Sequence, residues 1–198
     1  MDTHNFQKMV YSYSEGWQDL MRMHPGVNRL MWMYVAPMSL IPAVMFMYAM
    51  VVTPGAVLPA LVPQVTMAEA LAIGVAFFVI ELGMVALMAS MIQQMGDVVD
   101  ASPTYEEAYM LAAVAPTPLW IGSLALLVPS VWFNMAVMLA AWVAAAALIY
   151  HGVYPLFRLD THSRARVMGT FVLMAGVIAW AALMVILSLI LSMVVGLR

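Results

Sequence analysis

Apolar residues run along this chain in five long stretches, separated by shorter polar or proline-containing breaks. A helix that crosses a bilayer needs ~20 mainly apolar residues. The stretches at about 30–52, 67–95, 107–128, 131–157 and 167–196 each meet that length. The third and fourth are almost continuous across Val128, Pro129 and Ser130. Read as one helix, they would extend ~75 Å at ~1.5 Å per residue, which no bilayer accommodates. Pro129 lacks a backbone donor and clashes with the preceding turn, so the pattern predicts a tight hairpin there. The expected fold class is all-α: a polytopic membrane protein of five transmembrane helices.

The first 29 residues carry a different pattern. Phe6, Met9, Val10, Tyr13, Trp17, Leu20 and Met21 recur at three- and four-residue steps, while Lys8, Ser12, Glu15, Asp19 and Arg22 fall on the opposite face. This is amphipathic helix periodicity, with Gly16 as its weak point. Ahead of a membrane span, such a helix is expected in the headgroup plane, either as an anchor or as a surface for a cytoplasmic partner. Pro25 and Gly26 end it. Residues 1–29 therefore read as a cytoplasmic tail with an interfacial helix, and residues 30–198 as a single transmembrane domain. The first apolar run is too long for the hydrophobic region of a signal peptide, so it is expected to stay in the membrane.

Orientation follows from the basic residues. Lys8, Arg22 and Arg29 precede the first span; Arg158, Arg164 and Arg166 lie between the fourth and fifth; the loop 53–66 has none. Five spans with the N-terminus inside place both basic segments in the cytoplasm and the C-terminus outside. An even count would require one stretch to be re-entrant, and the second, which carries Glu81, is the weakest of the five. The loop 96–106 is acidic, but acidic residues contribute little to topology. Thr104 with Glu107 has capping-box spacing, and Ser102-Pro103 is another helix start; either would begin the third span.

Composition adds exclusions. Of 198 residues, 66% are hydrophobic and 9% charged, against ~25% charged in a soluble domain, so the solvent is mostly lipid. A net charge of -3 argues against a nucleic-acid partner. With no Cys, disulfides and thiolate metal sites are excluded. Phosphate loops, nucleophile elbows and zinc-protease motifs are absent, so neither an enzyme nor a cofactor is expected.

The candidate polar sites are Glu81 and His151. Glu81 lies within FFVIELGMVAL, where an isolated acid costs ~2.5–3.5 kcal/mol on insertion scales. It is expected to face the bundle interior, as a proton or cation site or as one end of an interhelical hydrogen bond to a residue such as Tyr or Ser. Gly83 beside it is compatible with close helix approach. His151 sits near the cytoplasmic end of the fourth span, between Tyr150 and Tyr154, where an interfacial role competes with titration near neutral pH. Met84, Met88, Met91 and Met95 form a helical stripe; thioethers bind Cu(I), but Met also substitutes for Leu in packing. No two histidines are three or four apart, so no metal site is expected.

Three segments together resemble a known family. EGWQDLMRMHPGVNRLMWMYVAPMSLIPAV, residues 15–44, is similar to the opening of bacterial Yip1-domain membrane proteins, with Trp17, Pro37, Ile41 and Pro42 at the matching positions. AAVAPTPLWIGSLALLVPSV, residues 112–131, resembles the family's third span through Thr117, Pro118, Trp120 and Pro129, although Val114 and Pro116 replace its tyrosines. ALIYHGVYPLFRLD, residues 147–160, resembles the end of its fourth span through Tyr150, Gly152 and Arg158, with Pro155 one residue late. The resemblance implies a five-span bundle with a cytoplasmic N-terminus, structural roles for the Pro and Gly positions, and no catalytic residues. Eukaryotic relatives bind small GTPases and act in vesicle trafficking. The function expected is a non-enzymatic inner-membrane protein that scaffolds or modulates other membrane proteins or lipids, with a membrane-protein partner or homo-oligomerisation. The alternative is a small transporter or channel for a proton, metal ion or lipid, centred on Glu81.

Overall fold

A computed structural model of the chain describes residues 15–23, 25–54 and 65–196. These residues are almost entirely helical. Helix α1 spans Glu15–Met23 and α2 spans Val27–Val51; α3 spans Met67–Met95; α4 (Tyr105–Val114) and α5 (Thr117–Gly122) make up the third span; α6 spans Val131–Leu156 and α7 spans His162–Gly196. Five segments are long and apolar enough to cross a membrane. The second is an unbroken helix despite its acid, with no re-entrant turn.

Local chemistry sets the boundaries. Helix α3 opens on a capping box in which the Glu69 backbone N–H reaches the Thr66 hydroxyl and the Thr66 N–H donates to Glu69 Oε2 (2.7 Å). Thr104 and Glu107 open α4 in the same way, the Thr104 N–H donating to Glu107 Oε2 at 2.8 Å. The hairpin falls where Pro129 predicts it. Val128 is extended, and the Ser130 hydroxyl accepts from the Phe133 N–H. The Asn134 amide then donates to the carbonyls of Val128 (3.1 Å) and Ser130 (2.9 Å), locking the turn from the first turn of α6.

Prolines shape the first and third spans differently. Pro37 has no N–H to give the carbonyl four residues back, and its ring crowds that carbonyl. The preceding turn, Met31–Val35, widens to a π-helical one, with the Ala36 N–H bonded to the Met31 carbonyl. In the third span Pro116 ends the first helix, and the Thr117 hydroxyl donates to the Val114 carbonyl at 2.7 Å, satisfying a group the break would orphan. Pro118, in the first turn of α5, is where a missing N–H costs least.

Helix α3 is the hub of the bundle, packing against α2, α4 and α7, while α6 closes the ring against α5 and α7. The seams are aromatic: Phe46 meets Phe77 edge-on at 5.1 Å between α2 and α3, and Trp142 meets Trp180 at 5.4 Å between α6 and α7. The first half of the third span is enclosed, every residue from Ala108 to Val114 being buried.

The amphipathic pattern of the tail falls partly outside the described residues, since Phe6, Lys8, Met9, Val10, Ser12 and Tyr13 are not among them. Within α1, Trp17 and Leu20 are buried in the main core while Arg22 and Met23 are exposed. Trp17 is fully buried, and its indole lies against Gly152 of α6, where an added Cβ would also meet Leu111 of α4.

At the same end of the bundle, Arg158 pairs with Glu107 (3.2 Å), and Arg164 pairs with Asp100 (3.3 Å) and more distantly with Asp160 (3.9 Å). These contacts tie the turn after α3 to the turn between α6 and α7. Asp100 and Arg158 have left-handed backbones, with φ of 54° and 49°. Asp adopts that conformation readily, whereas Arg does so at a small steric cost.

Candidate functional site

Glu81 lies in the middle of α3 and is only 6% exposed. A carboxyl in that position requires hydrogen-bond partners, because lipid and apolar side chains offer none. One partner is Trp120, whose indole Nε1–H donates to Glu81 Oε1 at 2.6 Å. Trp120 reaches it because the break at Pro116 restarts the third span as α5 and turns the indole toward α3. Ser123, one turn on, returns its hydroxyl to the Trp120 carbonyl at 2.6 Å. The second carboxyl oxygen, Oε2, is buried and has no hydrogen-bond partner among the described residues.

A second polar node lies beside the break. The Tyr34 hydroxyl, carried by the π-helical turn of α2, is 2.6 Å from the Thr117 hydroxyl, which in turn bonds Val114. The widened turn that Pro37 imposes thus places a phenol against the interrupted third span. A chain of bonds links α2, α4 and α5 at this level.

Glu81 borders a cavity of about 150 Å³ lined by residues from all five spans. Its walls are almost wholly apolar, with Phe46, Phe77, Trp142 and Trp180 the largest side chains around it. Met84 and Met88 of the methionine stripe face this cavity, whereas Met91 is exposed. The stripe does not converge on one point and acts as apolar wall. No group of three or more His, Asp or Glu side chains is placed to hold a metal ion among the described residues.

The other singled-out residues take separate places. His151 is half-buried in α6 and does not line the cavity, so the two candidate polar residues are not brought together. Tyr150 bonds Thr170 of α7 at 3.0 Å, and Tyr154 stacks on His162 at 4.6 Å. Gly83 is exposed, and a Cβ there would meet nothing within 4 Å. The close approach expected at Gly83 does not occur; it occurs instead at Gly152, against Trp17. Pro42 is buried within α2, while Pro37 and Pro129 are exposed. The spacing around Glu81 points to a hydroxyl partner such as Tyr or Ser, and the partner is instead the indole of Trp120. The sole indication was an indole inside an otherwise apolar span, beside the helix break.

The architecture is that of a polytopic helical membrane protein with one buried acid at its centre. Residues 8–183 match the Yip1 domain, and the chain belongs to that family. No curated protein and no solved structure matches the chain.

Proposed function

We propose that this chain is a non-enzymatic protein of a bacterial inner membrane that scaffolds or modulates other membrane proteins or lipids. The Glu81–Trp120 bond carries the reading. The most costly residue of the chain is used to join the second and third spans, and the neighbouring hydroxyls of Tyr34, Thr117 and Ser123 are likewise taken up in bonds within the bundle. Such a bundle is a rigid platform, and what it offers the membrane is its outer surface. That surface includes Trp132, Leu139 and Val143 on α6 and Ile178, Val185 and Leu189 on α7. The test is purification of the full chain from its native membrane in mild detergent, with the accompanying proteins and lipids identified. Stoichiometric association with a defined membrane protein or lipid is expected; a clean monomer carrying neither would count against the proposal.

Topology belongs to the same proposal. The ion pairs bring the loops after α3 and after α6 to one end, and the arginines gathered there support a cytoplasmic placement of that end. Because the chain has no Cys, a single introduced thiol reports its own side. Asn28→Cys and His162→Cys should be protected from an impermeant maleimide added to intact cells, and Thr53→Cys and Pro129→Cys should be labelled. The opposite pattern would overturn the orientation.

The unsatisfied Oε2 of Glu81 favours a second reading, a small transporter or channel for a proton, metal ion or lipid. Proton flux in proteoliposomes that is unaltered by Glu81→Gln would remove its proton form.

A further inference from the structure

The central cavity is long as well as apolar. Its lining residues recur at helical spacing on α3 from Phe77 to Ile92, on α6 from Met138 to Ile149 and on α7 from Val172 to Met184. At ~1.5 Å per residue, these stripes are ~16–23 Å long, so the void is a slot that runs along the helices. A volume of about 150 Å³ spread over that length leaves a narrow bore. An α-helix, ~10–12 Å across, is too wide for it. A single hydrocarbon chain is not, and the slot is about as long as the chain of one leaflet, half of the ~30 Å hydrocarbon core. The slot is only partly enclosed, so a flexible chain has a way in. Met84, Met88, Met138 and Met184 stand on its wall, and their unbranched thioethers adapt to an occupant without a fixed shape.

We propose that this slot binds one acyl chain of a phospholipid from the surrounding bilayer, lying along the bundle axis. The hydrophobic effect does not drive such binding, since the chain leaves one apolar medium for another. The gain is van der Waals contact: atoms lining an unfilled bore lack neighbours on one side, and a methylene chain supplies them along its whole length. Water held at the indoles of Trp142 and Trp180, which also stand on the wall, is the competing occupant. The inference goes beyond the scaffold proposal, which concerns the outer surface; its readout lies inside the bundle, and it can fail while that reading stands.

The experiment uses the full chain in phosphatidylethanolamine–phosphatidylglycerol liposomes. They are doped with a phosphatidylcholine that carries a diazirine midway along one acyl chain. After irradiation, the labelled residues are located by mass spectrometry. Leu139 and Val185 on the outer faces are exposed and should be labelled in any case. The deciding residues are Trp120, Ile149 and Val172, which line the slot and are 3%, 5% and 2% exposed. They should be labelled too, whereas Leu111 and Val114, fully buried but away from the slot, should not. Gly176 lies in the middle of the α7 stripe, and a Cβ there would meet nothing within 4 Å. Gly176→Leu should therefore fill the bore, removing label from the three slot residues and leaving it on Leu139 and Val185. Label confined to the outer faces, as a water-filled slot would give, would overturn the inference. So would label on Leu111 and Val114 equal to that on the slot residues, or slot label that survives in a folded Gly176→Leu variant. The wild-type pattern decides the matter even if the variant fails to fold.

Discussion

Replacing Gly152 with alanine tests the docking of the N-terminal helix, because two known effects act on the variant with opposite signs. Gly152 is interior to α6, where alanine is the better helix former by ~0.8–1 kcal/mol. With nothing nearby, the substitution would stabilise the protein. The structure puts Trp17 in the way. A Cβ on Gly152 would lie 2.6 Å from Trp17 Cζ2, 2.8 Å from Cε2 and 3.0 Å from Leu111 Cδ1, whereas carbons pack at ~3.5–4.0 Å. The indole must retreat by about 1 Å, and it is fully buried. Overpacking of this kind costs ~1–3 kcal/mol, which outweighs the helix gain. The expected net effect is a loss of up to about 2 kcal/mol, measured by reversible unfolding of the full chain in mild detergent. Trp17→Phe offers a smaller ring at the same place, so the double variant should be less destabilised than the sum of the two single ones, with a coupling of ~0.5–3 kcal/mol. Gly83→Ala is the control, since no atom lies within 4 Å of its added Cβ. If Gly152→Ala stabilised the protein as Gly83→Ala should, the packing of Trp17 against α6 would be refuted.

Further outcomes follow from individual bonds. Trp120→Phe removes the indole donor from Glu81 Oε1, leaving neither carboxyl oxygen with a partner among the described residues, and should cost ~1–3 kcal/mol in the same unfolding assay; adding Glu81→Leu should recover part of that loss. Tyr34→Phe removes only the bond to Thr117 and should cost ~1 kcal/mol, with little additional cost when Thr117→Val is already present. Arg158→Ala should change stability by less than ~1 kcal/mol, because its ion pair is exposed on the arginine side. Glu107→Ala should cost more, up to ~2 kcal/mol, because it removes the α4 capping box as well.

The spans were legible because their signal is long and one-dimensional: about twenty apolar residues between breakers identify a helix without reference to anything else in the chain. The hairpin at Pro129 and the cap at Thr104 were legible for a similar reason, since each rests on residues next to one another. The same spacing at Thr66 and Glu69 forms an equally good capping box, at the boundary between the loop 53–66 and the second span. The site was harder. That Glu81 faces inward follows from its cost in lipid, but its partner is 39 residues away in sequence and is aimed by a helix break whose direction depends on tertiary packing. The packing of Trp17 was hidden for a related reason. An amphipathic pattern says which face is apolar, not whether that face meets lipid or protein, and the answer lay in Gly152, far along the chain. Gly83 illustrates the reverse: a small residue beside a buried acid invited a contact that the rotation of α3 turns away.

The ion pairs at one end have a consequence for how the molecule responds to its surroundings. The turn after α3 and the start of α4 are joined to the segment between α6 and α7 by ion pairs whose arginines are solvent-facing, whereas the Pro129 hairpin is held by neutral amide bonds. Added salt screens the first set over a Debye length of ~8 Å at physiological strength and leaves the second untouched. The bundle therefore has a mechanical polarity along the membrane normal. Higher ionic strength should weaken the ion pairs of the arginine-bearing end and leave the amide bonds of the Pro129 hairpin unchanged.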